Sequence, residues 1–508
     1  MSAPTRNFQR GAPRAYDSAL SPHQIRLVMA LAGRCAPAIG RVCEADCGSG
    51  FDVALHAACN RDVEWFGNGL QQPTAERRPI VALQHLDNLH LDDATFAAAS
   101  TAPPTDPLDV MIMSQAWSWL PVCQRAGVAD KLAECLVPGG ILCVGHATLP
   151  GQNSTVGLLH ILAALTGTSR GTGSRGAAAR PSREALQRGL AFLDTNPAFA
   201  GIHWQLREGV EGLLDACNDG PDAPAHGIAE PGGSFEPGYV RDLAALLAPA
   251  GLHWACPWSA GEGIAALHLT PRQSSFLDAI PDPIDRQQLA DFMRNTGLRR
   301  DIWSKQQNLA HLAATELVEP LAVVLVRPHQ DFAFKVLGDL GEIALARSFY
   351  GPLLDALAGH RPIAVRDIFA DVEGRFQRTE VCEAIGILLE LGMVQAVNPS
   401  ATGIERSVPA AAALNRVLLA EAGAGRAHSH LGSPLTGAGI EVPMLHQLLL
   451  LATLDGARSP ADAARFVEAA MARIDTPASP AAARHGVAEL AEDFQHRLLP
   501  IYRALMIA

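Results

Sequence analysis

The chain has 508 residues, 48% of them hydrophobic and 18% charged, with a formal net charge of −12. Such a length allows about three domains, and such a composition excludes a disordered chain in favour of an Ala-rich, helical one. The acidic balance argues against general nucleic-acid binding, which needs a basic face, and makes a basic protein surface the more natural partner.

Arg41-Val42-Cys43-Glu44 reads as a short strand that runs through Ala45-Asp46-Cys47-Gly48-Ser49-Gly50 into a helix from Phe51. The glycines allow a tight turn and close approach to a ligand, and a helix start offers unbonded N–H groups. The stretch therefore reads as a nucleotide-cofactor loop. Val63–Gly67, Ile80–His85 and Leu108–Met113 follow as the second, third and fourth strands, with helical segments between them. Leu136-Val137-Pro138-Gly139-Gly140 ends a helix before the strand Ile141–Val144. This alternation predicts an α/β fold with a Rossmann-like, doubly wound sheet.

Gly167–Gly176, rich in Gly, Ser and Arg, is expected to be a flexible excursion or a substrate lid. Beyond it the sequence predicts a helix over Tyr239–Leu247 and strands over Leu252–Cys256 and Ala265–Leu269. Helices then run from Asp285 to Leu317, and Leu321–Val326 reads as a strand. From Leu353 to Val394 the spacing is helix, turn, helix and short strand, similar to a winged helix. Asp367, Asp371, Glu373, Glu380 and Glu383 offset its arginines and point to dimerisation or substrate docking instead of DNA. Met444–Leu451 and Pro460–Met471 read as closing helices, and His428-Ser429-His430 as a polar turn. Three units are expected: residues 1–270 with the sheet and a lid insertion, a helical unit over 271–350, and a winged-helix-like and helical unit over 351–508.

Ten scattered cysteines lack any Cys-x-x-Cys pair, so neither a zinc site nor a disulfide framework is expected and no metal ligand is assigned. No early segment combines a positive start with an apolar run, and no apolar stretch approaches membrane-spanning length. A cytoplasmic protein without membrane insertion is expected.

In its loop and punctuation the chain resembles the class I S-adenosylmethionine-dependent methyltransferases. In that family an acidic residue and a Gly-x-Gly turn end the first strand, and a Leu-x-Pro-Gly-Gly turn precedes a later one. Ser118-Trp119-Leu120-Pro121, Thr148-Leu149-Pro150-Gly151, Tyr16-Asp17, Leu289–Asn295 and Leu454-Asp455-Gly456 narrow the resemblance. They are similar to bacterial methyltransferases with a methyltransferase regulatory domain, a group that includes protein-lysine methyltransferases. The resemblance implies S-adenosylmethionine as cofactor, a protein or small-molecule methyl acceptor, 1–270 as the methyltransferase domain and 271–350 as the regulatory one. It implies that Glu44, Gly48 and Gly50, with Asp46 in the same loop, hold the methionine part of the cofactor, and that Asp87 accepts from the adenine amino group. Ser114 and Trp117 match the pocket rim, Tyr16 an aromatic wall beside the sulfonium, and His146 a proton acceptor for the substrate.

Some positions depart from the family. Asp46 stands where glycine is usual, and Gly69 where an acidic residue takes the ribose hydroxyls, leaving Asn68 as its substitute. His146-Ala147 replaces a Tyr-Asn pair. Losing a bidentate carboxylate partner costs on the order of 1.5–3 kcal/mol of binding. Two other readings therefore stand beside the protein methyltransferase: a catalytically degenerate scaffold or partner subunit, and a small-molecule methyltransferase. An open acidic cleft favours a basic protein acceptor, and a closed apolar pocket a small molecule.

Overall fold

The computed structural model describes residues 16–45, 47–69, 86–92, 106–114, 116–166, 183–195, 207, 210–211, 214, 235–306, 312–474 and 480–508. Seven strands form one sheet: β1 Arg41–Glu44, β2 Glu64–Gly67, β3 Leu89–Leu91, β4 Leu108–Met113, β5 Leu136–Ala147, β6 His253–Pro257 and β7 Leu298–Ser304. Their order is β3-β2-β1-β4-β5-β7-β6. The first five are parallel, and β7 runs antiparallel to both β5 and β6. The order reverses between β1 and β4, so their carboxyl ends flank the crevice where ligands bind in sheets of this kind.

Alternation decides what each face of the sheet buries. Val42, Val110, Ile112, Ile141 and Cys143 face a core shared with the helices Pro22–Leu31 (α1) and Phe51–Cys59 (α2). The same core runs on into the C-terminal helices through Leu414, Leu418, Leu448 and Tyr502. Met111, Leu142, Val144 and Trp303 face the other side, against Val128 and Leu132 of the helix Val122–Cys135 and Val240 and Leu243 of the helix Val240–Leu247.

After the sheet come β8 Ala322–Leu325, β9 Lys335–Gly338, β10 Gly341–Ala344, β11 Ile363–Ala364 and β12 Val394–Ala396. β11, β8 and β12 pair antiparallel in that order. The helices Arg347–Leu357, Val365–Asp371 and Arg378–Glu390 supply a second core with them, including Val323, Leu325, Leu353, Ile368, Ile385 and Leu388. The final hairpin pairs β13 His430–Ser433 with β14 Ala438–Glu441.

Two sequence expectations need correction. Ala265–His268 is a helical turn, not a strand. The seventh strand lies in the stretch read as helical, beyond residue 270, because Leu298-Arg299-Arg300-Asp301-Ile302-Trp303-Ser304 carries its charges inside the fold and hides the strand pattern. The third strand is Leu89–Leu91; Ile80–His85, like the Gly167–Gly176 loop, lies outside the described residues. His430 stands at the start of β13, so the His-x-His stretch leads into a strand. Among the described residues no helix is long and apolar enough to cross a membrane, and no cluster of three or more His, Cys, Asp or Glu is set to hold a metal.

Burial pushes His23, His56 and His146 down to about 4. Their unfolded forms titrate near 6.5, so the unfolded chain takes up protons first as pH falls, and stability drops between about pH 6.5 and 4. Burial also raises Asp291 to about 6, which works in the opposite direction for one group. Each histidine contributes on the order of 1–2 kcal/mol to this loss. Urea unfolding at pH 7 and pH 5 should show a clearly lower midpoint at pH 5, and a His56→Gln variant a smaller difference.

Candidate active site

The loop after β1 is stitched to its neighbours by backbone hydrogen bonds. The Ala45 amide donates to the Ile112 carbonyl at 2.8 Å, Cys47 to Asn68 at 2.8 Å and Asn68 to Glu44 at 3.1 Å. Gly48 and Gly50 both take left-handed conformations, with φ of 59° and 73°, and Gly50 caps α2. Backbone in that region favours glycine. Gly67 is needed for closeness instead: a Cβ there would meet Leu91 at 2.8 Å and Cys47 Sγ at 3.0 Å.

Glu44 is buried at the end of β1, and the Ser114 hydroxyl, just past β4, points to its Oε1 at 3.5 Å. The switch point thus brings together Glu44, Gly48, Gly50, Asn68 and Ser114. Asn68 turns its side-chain oxygen inward, where it accepts from the Cys43 thiol at 3.2 Å. Asp46 lies outside the described residues. β5 crowds this rim, since a Cβ on Gly145 would stand 1.9 Å from the Ser114 carbonyl oxygen.

Asp87 does not join them. It precedes β3, level with the start of β2, and pairs with Arg61 while exposed to solvent. Hydrogen bonding to Arg61 and its charge hold the carboxyl below its ordinary value. This is the end of the sheet opposite the crevice, so the adenine role expected of Asp87 does not fit its place. Asp92 follows β3 at the crevice end, and its amide extends the ladder to Gly67 at 2.8 Å. The signal that marks it is the alternating Leu89-His90-Leu91 run ending in Asp92.

Trp117 is a core residue at 2% exposure, not a rim residue. Its turn is tied down where the Ala147 amide donates to Ser118 Oγ at 2.7 Å. Trp119 packs its ring against Phe235 at 5.0 Å. Tyr16 is buried too, and its hydroxyl accepts from the Gly439 amide at 2.6 Å in the C-terminal hairpin. Burial pushes that phenol well above its usual range. An aromatic wall open to a sulfonium is not what this environment supplies.

His146 sits near the end of β5, opposite Arg299 of β7. Neither ring nitrogen has a hydrogen-bond partner among the described residues, and burial holds the ring neutral against the pull of Asp301. Next to it lies a charge network that the sequence reading missed. Arg299 bonds both oxygens of Asp301 at 2.8 Å, and Asp291 Oδ1 at 2.8 Å. Trp254 Nε1 also donates to Asp301 at 2.9 Å. Burial raises Asp301, but Arg299's charge and paired bonds more than reverse that and leave it below its ordinary value. Asp291 has one bond to Arg299, and burial prevails.

A polar cavity of about 190 Å³ opens against β7, two strands from β4, lined by Asp17, Trp258, Glu262, Arg294, Arg300 and Glu390 among others. Arg300 lies 4.1 Å over the Trp258 ring and pairs with Asp17. Arg294 bonds Glu262 at 2.7 Å and Asp339 at 2.6 Å. The cavity is neither a closed apolar pocket nor strongly acidic, because Asp17, Glu262 and Asp301 are each paired with an arginine.

Residues 232–305 match the family described as "predicted methyltransferase regulatory domain". That span covers β6 and β7. The structure of PKMT2 from Rickettsia typhi in complex with AdoHcy superposes with a TM-score of 0.62 at 14% identity, covering 97% of this chain and 99% of that one. A second structure of PKMT2 from Rickettsia typhi gives the same TM-score at 15% identity. The chain has a methyltransferase fold. An uncharacterized protein of Synechocystis is 24% identical over 444 residues, 85% of this chain and 84% of its own length. The resemblance read from the sequence holds at the level of fold along nearly the whole chain.

Gly145→Ala should lower the unfolding free energy by about 2 kcal/mol or more, because the methyl group must push the Ser114 backbone away from β5. Urea denaturation measures this; an unchanged midpoint would mean that the two backbones separate without strain.

Proposed function

We propose that the chain is an S-adenosylmethionine-dependent methyltransferase acting on a protein, at a lysine side chain. The observation that carries the reading is the meeting of buried Glu44 and Ser114 at the switch point, beside a loop whose two glycines take left-handed conformations before a helix start. Support comes from the likeness to PKMT2 of Rickettsia typhi over 97% of this chain, solved in complex with AdoHcy, and from the regulatory-domain match.

The residues present fit the methionine end of this cofactor better than its ribose end. Glu44, Gly48 and Gly50 would hold the methionine part, with the α2 N-terminus facing its carboxylate. Asp92, not Asp87, stands where an adenine contact is reached. When bound, the cofactor supplies an electrophilic methyl group with its leaving group already in place. The chain's own task is then to align an amine and exclude water. His146 is a weak base at neutral pH and serves as a neutral polar contact for the acceptor, while the acceptor amine arrives deprotonated.

The inward turn of Asn68 favours the second reading, a fold kept as a scaffold, because its amide oxygen is engaged away from any ribose. We also read the helices and strands of 347–396 as a winged-helix-like unit, for docking or a homodimer, in a cytoplasmic protein. Its order of helix, strand, two helices and strand, with β11 and β12 both pairing antiparallel to the preceding β8, supports that.

Isothermal titration with S-adenosylmethionine and S-adenosylhomocysteine tests the reading. Micromolar binding is expected, and a Gly50→Arg variant should lose at least about tenfold, since both its φ and its closeness to the ligand require glycine. No binding to the unaltered protein would sink the cofactor reading; binding without methylation of any lysine-bearing protein would favour the scaffold.

A further inference from the structure

The C-terminal hairpin β13–β14 packs directly on the helix that begins at the cofactor loop. The His428 ring stacks on Phe51, the residue after Gly50, with centroids 4.7 Å apart and planes 21° apart. The Gly437 carbonyl accepts from Asn60 Nδ2 at 2.7 Å and lies 3.3 Å from His56 Nδ1, while the Gly439 amide donates to Tyr16 at 2.6 Å. Behind the helix, His56 stacks on Trp65 of β2 at 5.0 Å. The helix is clamped between sheet and hairpin.

There is no slack in this clamp. A Cβ on Gly432 would meet Cys59 Sγ at 2.8 Å, on Gly437 Asn60 Oδ1 at 2.2 Å, and on Gly439 Tyr16 Cε1 at 2.6 Å. Close-packed interfaces of this kind shift as units and do not deform gradually. The hairpin is in turn held from the far side. Gln395 of β12 donates to the Gly439 carbonyl at 3.0 Å, Arg327 pairs with Glu441, and Ser433 Oγ donates to the Leu505 carbonyl at 2.7 Å. Gly439 thus bonds the C-terminal unit through its carbonyl and the N-terminal unit through its amide.

We propose that the hairpin 428–441 positions the cofactor loop, with His428 and Gly439 as the residues through which the C-terminal unit sets the site's affinity. This rests on the cofactor reading above, and it makes the C-terminal unit the regulator of the same site. His428 touches no ligand in this scheme; it acts through Phe51.

Hydrogen exchange and titration of His428→Ala and His428→Phe test it. Without ligand, exchange over 47–59 should rise about fivefold or more in the alanine variant, while the helix Val122–Cys135 on the other face of the sheet stays unchanged. Affinity for S-adenosylhomocysteine should fall about tenfold in the alanine variant and return to within about twofold in the phenylalanine variant, whose ring keeps the stacking. Unchanged exchange over 47–59 overturns the proposal even if the unaltered protein binds no cofactor, an outcome that would separately overturn the cofactor reading. Should the alanine variant fail to fold, the unaltered protein decides: S-adenosylhomocysteine must protect 428–441 along with 47–59, and protection confined to 47–59 overturns it.

Discussion

The pairing of Arg299 with Asp301 and Asp291 is the constraint on which the rest of this structure hangs. A lone buried ion is expensive, so a guanidinium inside a sheet is tolerated only where carboxylates surround it with matched geometry. Here one cation faces two acids from different elements, Asp301 on its own strand and Asp291 on the helix Pro283–Arg294. Removing the cation would strand two acids, whereas removing either acid would leave guanidinium N–H groups of Arg299 without that acceptor. Through Trp254 of β6 the network ties Asp301 to the neighbouring strand, and through Asp291 it pins that helix to the sheet. It also fixes Arg300, the next residue, which reaches the opposite face to pair with Asp17 and cover Trp258.

That single strand links the crevice, the polar cavity and the start of the described chain. Asp17 holds Arg300, and its neighbour Tyr16 bonds the Gly439 amide of the C-terminal hairpin. One short N-terminal segment thus joins β7 to the hairpin. The sheet face that carries the cofactor loop and the C-terminal helices share one continuous apolar core. The later units are therefore built into the site's support and are not beads strung after it.

Elements whose patterns follow from local chemistry were legible in the sequence. β1, β2, β4 and β6 are apolar runs with turn residues after them, and the Gly48/Gly50 turn declares itself because only glycine takes those angles cheaply. β7 was not legible, since Arg299, Arg300 and Asp301 read as a solvated surface and only the three-dimensional pairing makes them interior. β3 was not legible either, since Leu89–Leu91 is three residues long and carries a histidine, and the more apolar Ile80–His85 drew attention instead. That shift moved the expected adenine contact to Asp87, at the wrong end of the strand. Trp117 and Tyr16 were named for a pocket and found in the core because large aromatics satisfy both settings equally well, and only their neighbours tell them apart.

The chemistry proposed for the site follows from what its neighbours can and cannot do with a proton. An amine attacks a methyl group only when neutral, so something must favour the neutral form. His146 cannot take that proton efficiently, because the burial that brings it to the end of β5 also holds it near 4. The cavity beside β7 contributes little field of its own, because Asp17 is matched by Arg300 and Glu262 by Arg294. For the proposed amine acceptor what remains is desolvation: a cationic amine entering a water-poor site would lose more than a neutral one, so such a site would favour the deprotonated acceptor by exclusion. In such an arrangement precision of placement replaces acid–base catalysis, which is why a loop clamped on both sides matters more here than any single titrating residue.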